Sequence, residues 1–284
     1  MNPKLHASRI GLHRGWTEFL QSLKSPQDQG FYLFMALAVL GYLFIRRNTV
    51  IDEIGMTIPQ VSMPSILGGL LAFGVVIGPA YQLAMDREDG TLLRYKAMPH
   101  GIGGYVTSQL AYHSLGLVPM LLVILVPGFL LFDGLMQRGT TGWLTMIWVL
   151  LLGLAAMMPI GIVIGALVPS TQKVGSWGML PIMVLVSISG IFFPIQALWG
   201  WVQPIAQAFP LYWIGLGMRS AFLPDAALAI EVGQSWRTGA TVAVLAAWAI
   251  VGTAICPPVL RRMARRQSGA AVQAAREQAT QWVR

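Results

Sequence analysis

The one acidic cluster in this sequence is Asp86-Arg87-Glu88-Asp89. Its Asp-x-x-Asp spacing could hold magnesium against a pyrophosphate, the arrangement that intramembrane prenyl-transferring enzymes use twice. No second cluster exists, so that chemistry is incomplete. Gly-x-x-x-x-Gly-Lys-Ser/Thr is absent, and with it the backbone cradle for nucleotide phosphates. His-Glu-x-x-His for zinc and the Gly-x-Ser-x-Gly nucleophile elbow are absent too. A single cysteine, Cys256, excludes an intrachain disulfide and a cysteine zinc cluster. His113 has no partner in the pattern with which to hold a metal. The chain is therefore expected not to be an enzyme by itself and to bind no metal.

The elements that carry these residues are set by composition. Of 284 residues, 55% are apolar and 11% charged. Soluble domains carry roughly a quarter charged residues, so a soluble fold is excluded. Charges vanish from six runs: Phe31 to Ile45, Ser65 to Met85, Val106 to Phe132, Trp143 to Val168, Met179 to Phe193 and Thr238 to Cys256. About 20 apolar residues cross ~30 Å of hydrocarbon as a helix, so the expected fold is an all-α integral membrane protein with six transmembrane helices. The first run is short, and Gln29, Gly30, Arg46 and Arg47 would complete it by snorkelling. Pro119 and Pro127 predict a tilt or kink in the third.

Basic residues orient the bundle. With the N-terminus inside, fourteen of the nineteen lysines and arginines fall on the cytoplasmic side, against five outside: Arg46, Arg47, Arg138, Arg219 and Arg237. Both termini are expected in the cytoplasm. The net charge of +8 lies at the edges of apolar runs, so anionic lipid is the expected partner and nucleic acid is not. The expected organisation is a cytoplasmic region over 1–27, a six-helix domain over 28–257 and a basic tail over 258–284. In that tail Arg261, Arg262, Arg265 and Arg266 would hold the helix end against lipid, and the Ala- and Gln-rich stretch to Trp282 suits a helix.

The first thirty residues show no continuous apolar core or cleavage site, so no cleavable signal peptide is expected. Leu12, Trp16, Phe19, Leu20 and Leu23 recur at helical spacing instead. This suits a helix lying flat on the inner membrane face, or one packed on a partner. Gly74-x-x-x-Gly78 and Gly161-x-x-x-Gly165 allow close helix packing. Ser108, Gln109, Tyr112 and His113 form a polar patch that either meets substrate or bonds to neighbouring helices. Between the fifth and sixth spans, Trp199, Trp201, Phe209, Tyr212 and Trp213 are broken by Pro194, Pro204 and Pro210. They read equally as a partly embedded broken segment or as a plain aromatic belt.

The loop after the second span is charged, then amphipathic, then stopped by Pro99. A short helix there would present Leu92, Tyr95 and Met98 together, with Arg94 and Lys96 beside them, in a form that can dock in a groove of another protein. Three stretches resemble the membrane subunits of type-2 ABC exporters, including the daunorubicin-resistance type. They are Glu88-x-Gly90-Thr91-Leu92 followed by Pro99, Ser189-Gly190-Ile191-Phe192-Phe193-Pro194, and Phe209-Pro210-Leu211-Tyr212-Trp213. The resemblance spans roughly residues 30 to 257.

It implies that Glu88, Gly90, Thr91, Leu92, Arg94, Tyr95 and Met98 couple to an ATPase, together with Trp16 and Phe19 on an N-terminal connecting helix. It implies that Phe73 and Ser187, on the second and fifth spans, line the path between two membrane subunits, and that Phe192 and Phe193 form an outer gate. Short broken helices would dip into the outer leaflet before the sixth span. The implied partners are two ABC ATPase subunits, which bind ATP and magnesium, and a second permease subunit, identical or paralogous, in a bacterial inner membrane. The expected substrate is an amphipathic or hydrophobic drug or antibiotic first, and a lipid or lipid-linked glycan second. A stand-alone secondary transporter is the alternative of another class. It is disfavoured because ion-coupled carriers place ionisable groups at membrane depth.

Overall fold

A computed structural model describes residues 3–266, apart from 169 and 193. Phe193, and the tail beyond residue 266 with Trp282, lie outside the described residues. The chain folds as helices α1 (Pro3–Ser22), α2 (Pro26–Ile45), α3 (Ile58–Glu88), α4 (Thr91–Ala97), α5 (Gly101–Leu131) and α6 (Gly139–Leu167). These are followed by α7 (Thr171–Lys173), α8 (Leu180–Ile188), α9 (Val202–Ala208), α10 (Pro210–Phe222) and α11 (Thr238–Arg266). A two-residue antiparallel ribbon, Val50–Ile51 with Met56–Thr57, closes the turn between α2 and α3.

Local signals start these helices. Ser25 caps α2, its hydroxyl accepting from the Asp28 amide at 3.4 Å, with Pro26 at the first position. At α3 the Thr57 amide donates to the Gln60 side chain at 2.9 Å, and the Gln60 amide reaches the Asp133 carbonyl at 3.1 Å. That second bond ties the start of α3 to the turn after α5. Gly90, at φ +81°, turns the chain from α3 into α4, and Asp89 accepts from the Thr91 amide at 2.8 Å.

Five of the helices, α2, α3, α5, α6 and α11, are long and apolar enough to cross a membrane. The expected fifth span, Met179 to Phe193, is not one such helix. It begins earlier, at α7, passes through a π turn (Val174–Gly178) and ends at Ile188. At ~1.5 Å per residue the run from Thr171 to Ile188 reaches about 27 Å, just under the ~30 Å of hydrocarbon. Gly190, at φ +74°, stops it before Phe193. The other spans extend past their expected ends. α3 continues to Glu88 and α11 passes Cys256, Pro257 and Pro258 into the arginine-rich segment. α5 runs unbroken through Pro119 and Pro127.

α3 is the axis of the bundle. Leu67, Leu71, Val75, Val76 and Ala80 are fully buried on it. α6 approaches its backbone through the glycine pair: a Cβ on Gly161 would sit 2.4 Å from the Val76 carbonyl oxygen, and one on Gly165 2.7 Å from that of Ala80. Only small residues permit that contact. α10 is enclosed by α3, α6 and α11, and all thirteen of its residues are buried. The broken segment is thus inside the protein at α10, while Trp199 and Trp201, stacked at 6.1 Å, stay exposed.

Candidate functional site

At one end of the bundle lie α1, α4 and the junctions of α3, α5 and α6. α1 packs on α5 through glycine: a Cβ on Gly11 would meet the Gly104 carbonyl oxygen at 2.2 Å, and one on Gly15 that of Ser108 at 2.5 Å. Its apolar stripe turns the other way, so Leu12, Trp16, Leu20 and Leu23 are exposed. Trp16 and Phe19 touch each other at 5.8 Å between ring centroids.

α4 differs from the expected docking helix. Leu92 and Tyr95 are buried, while Arg94 and Met98 face outward. The two apolar side chains root α4 in the bundle, because a seven-residue helix has no other means of holding its place. A chain of contacts then links four helices. The Arg14 guanidinium lies 4.8 Å over the Tyr95 ring. Tyr95 meets Tyr105 edge-on at 5.2 Å, and the Tyr105 hydroxyl donates to the buried Asp86 carboxylate at 2.7 Å. Gln82 donates to the other Asp86 oxygen at 3.2 Å. The cation over the ring and the paired rings each contribute about 0.5–1.5 kcal/mol. Sequence spacing gave no sign of this chain, since its members come from α1, α3, α4 and α5.

Glu88 is engaged within the chain. Its carboxylate accepts from the Thr171 amide at 2.9 Å and from the Thr171 hydroxyl at 3.0 Å, joining the end of α3 to the start of α7. Arg87 donates to the last carbonyls of α6, at 2.9 Å to Val168. The acidic cluster therefore ties α3 to α5, α6 and α7.

Higher in the bundle an apolar cavity of about 550 Å³ opens between α2, α3 and α8. Three expected path residues share its wall: Phe73 from α3, Ser187 from α8 and Phe192 just past it, opposite Met35 and Tyr42 of α2. None of its lining residues is ionised. A smaller space of about 210 Å³ adjoins it, and Tyr42, Ile191 and Phe192 line both.

Beyond that partition lies a buried ion pair. Arg219, in the last turn of α10, donates through Nε and Nη2 to the two carboxylate oxygens of Glu231, the latter at 3.1 Å. Its Nη1 donates to Ser65 Oγ of α3 at 3.0 Å and to the Gly190 carbonyl at 3.1 Å. Both ions are about 95% buried. Arg219 is thus inside the protein, where the sequence had suggested an outer surface charge. An unpaired ion there is costly, and the fork geometry of arginine lets a single residue satisfy three partners.

The polar patch of α5 is absorbed by neighbours. Ser108 donates to Glu18 of α1 at 3.3 Å, and His113 Nε2 lies 3.1 Å from Gln109. The His113 ring occupies the space left by Gly78, where a Cβ would stand 2.8 Å away.

An all-α bundle with five membrane-length helices, an enclosed broken helix and an uncharged cavity between helices defines a multi-pass membrane permease. The family model described as ABC-2 type transporter matches residues 12–223, and the chain belongs to that family. It is the membrane-spanning permease component of a type-2 ABC exporter. No curated protein matches the chain.

Proposed function

We propose that this permease exports an amphipathic or hydrophobic substrate, a drug or antibiotic first, with a lipid or lipid-linked glycan as the second class. The observation that carries this reading is the uncharged cavity between α2, α3 and α8, whose walls would reward an apolar body and offer only the hydroxyls of Tyr42 and Ser187 to a polar group. Two such subunits would face each other, with Phe73, Ser187, Phe192 and Phe193 on the path and at its outer gate. Two separate ATPase subunits, holding ATP and magnesium, would supply the energy at the α4 end. With both termini in the cytoplasm of a bacterial cell, that end faces inward and the fifteen or so basic residues there meet anionic lipid, an approximate tally consistent with inside-positive topology.

ATPase closure would act on α1 and α4, and the contacts from Arg14 through Tyr95 and Tyr105 to Asp86 give that push a route to α3. Met98, Arg94, Trp16 and Leu12 are the exposed side chains for the partner to grip. Leu92 and Tyr95 serve as anchors behind them, while Glu88, Gly90 and Thr91 shape the turn.

Transport in liposomes, with and without a co-expressed ATPase subunit, tests the reading. Export is expected only with the ATPase and ATP. Uptake or efflux by the permease alone on an ion gradient would overturn it in favour of a secondary transporter.

A further inference from the structure

A separate cavity of about 620 Å³ opens at the α4 end, between the start of α1, the turn from α4 into α5 and the end of α11. Its wall is divided by chemistry. Lys96, His100 and Arg261 stand on the exposed rim, whereas Ile102, Val106 and Leu260 form the sheltered side. No carboxylate lines it. The turn that carries Lys96 is tightly set, because a Cβ on Gly101 would lie 2.0 Å from the Tyr95 carbonyl oxygen. The positive end of the 31-residue α5 opens at the same place.

We infer that this cavity binds an anionic phospholipid, its phosphate on Lys96 and Arg261 and its glycerol and first methylenes against Ile102, Val106 and Leu260. Two observations favour a lipid over a soluble phosphate. The sheltered wall is apolar, which a free anion cannot use. The site also lies where α5 and α11 leave their apolar stretches, at the level of headgroups. A lipid seated there would brace α4 and α11 together at the end where the partner ATPase is proposed to act. The inference does not depend on the nature of the substrate.

Cys256 lines the sheltered wall and is the sole thiol of the chain, so a neutral maleimide reports occupancy. The full-length protein is placed in nanodiscs of phosphatidylcholine, with or without phosphatidylglycerol, and the rate of alkylation is followed. Phosphatidylglycerol is expected to slow labelling severalfold. Each of Lys96→Gln and Arg261→Gln should weaken that protection about fivefold, while Arg262→Gln with Arg265→Gln should leave it in place. Inorganic phosphate added to phosphatidylcholine discs should not protect.

Equal rates in the two lipids would overturn the site, as would protection that survives the Lys96→Gln and Arg261→Gln double variant. Equal loss with Arg262→Gln and Arg265→Gln would reduce the effect to diffuse surface charge. Protection by phosphate alone would replace the lipid with a soluble anion. Should the double variant fail to fold, native mass spectrometry of phosphatidylglycerol retained by wild type and by Arg261→Gln reads the same outcomes.

Discussion

At the α10 end of the bundle two ions are sealed inside, held by four side-chain and backbone partners and crossed by three chain segments. At the α4 end the charges mostly stand outside, and the connections are ring contacts, helix caps and glycine approaches, each of modest strength. The first end resists rearrangement because displacing Arg219 from Glu231 strands a charge without water. The second can lose one contact at a time. A permease driven from one side has reason to be firm at the gate and compliant where the force enters, and the two ends are built accordingly.

The contrast can be broken most forcefully at the ion pair. Arg219→Met alone should cost about 3–5 kcal/mol by leaving Glu231 buried and unpaired. Combining it with Glu231→Leu should restore most of that loss, as apolar replacements of a buried pair often do. Thermal unfolding in detergent by tryptophan fluorescence measures both, and additive losses would contradict the description of a closed pair. Next in size, Gly11→Leu forces a side chain into the α5 backbone and should cost about 1–3 kcal/mol. Hydrogen exchange should then rise in α1 while α10 stays protected. Equal loosening of α10 would mean that the two ends are not independent.

At a similar scale, Glu88→Gln weakens the link to Thr171, at about 1 kcal/mol by analogy with a lost cap. The proposed coupling role adds that ATP hydrolysis should respond less to substrate, while the folded yield is unchanged. Ser187→Trp fills the apolar cavity and should stop ATP-driven export with a change in stability of only about 1 kcal/mol or less, because the cavity can accept the ring. The smallest stability effect belongs to Leu12→Ser with Trp16→Ser, within about 0.5 kcal/mol, since both side chains are exposed. Co-purification of an ATPase subunit, or binding of α1 to vesicles, should nonetheless fall.

How far the sequence foretold this architecture varies by residue. The long apolar helices were legible because hydrocarbon demands about twenty apolar residues whatever surrounds them. Their ends were not, because helical hydrogen bonding continues past the last apolar residue: α3 carries Asp86 to Glu88 within its final turn, and α11 runs on into Arg261 and Arg262. Phe73, Ser187 and Phe192 were grouped by family resemblance, and the fold sets them on one wall. The inward turn of Leu92 and Tyr95 escaped notice, since a seven-residue helix has too few turns for periodicity to tell an anchoring face from a docking face. The pairing of Arg219 with Glu231 left no mark at all. The two are separated by a 3-10 turn (Asp225–Ile230), and only the tertiary fold makes them neighbours.

The π turn at Val174–Gly178 has a consequence of its own. A π turn spends one residue more than an α turn, so the phase of everything after it depends on whether that residue is kept. Deleting Ser176 would return the segment to regular α geometry and rotate α8 by about 100° about its axis. Ser187 would leave the cavity wall, with no change in composition there. In this protein the identity of the wall is thus held as an angle, set by one surplus residue more than a full turn away.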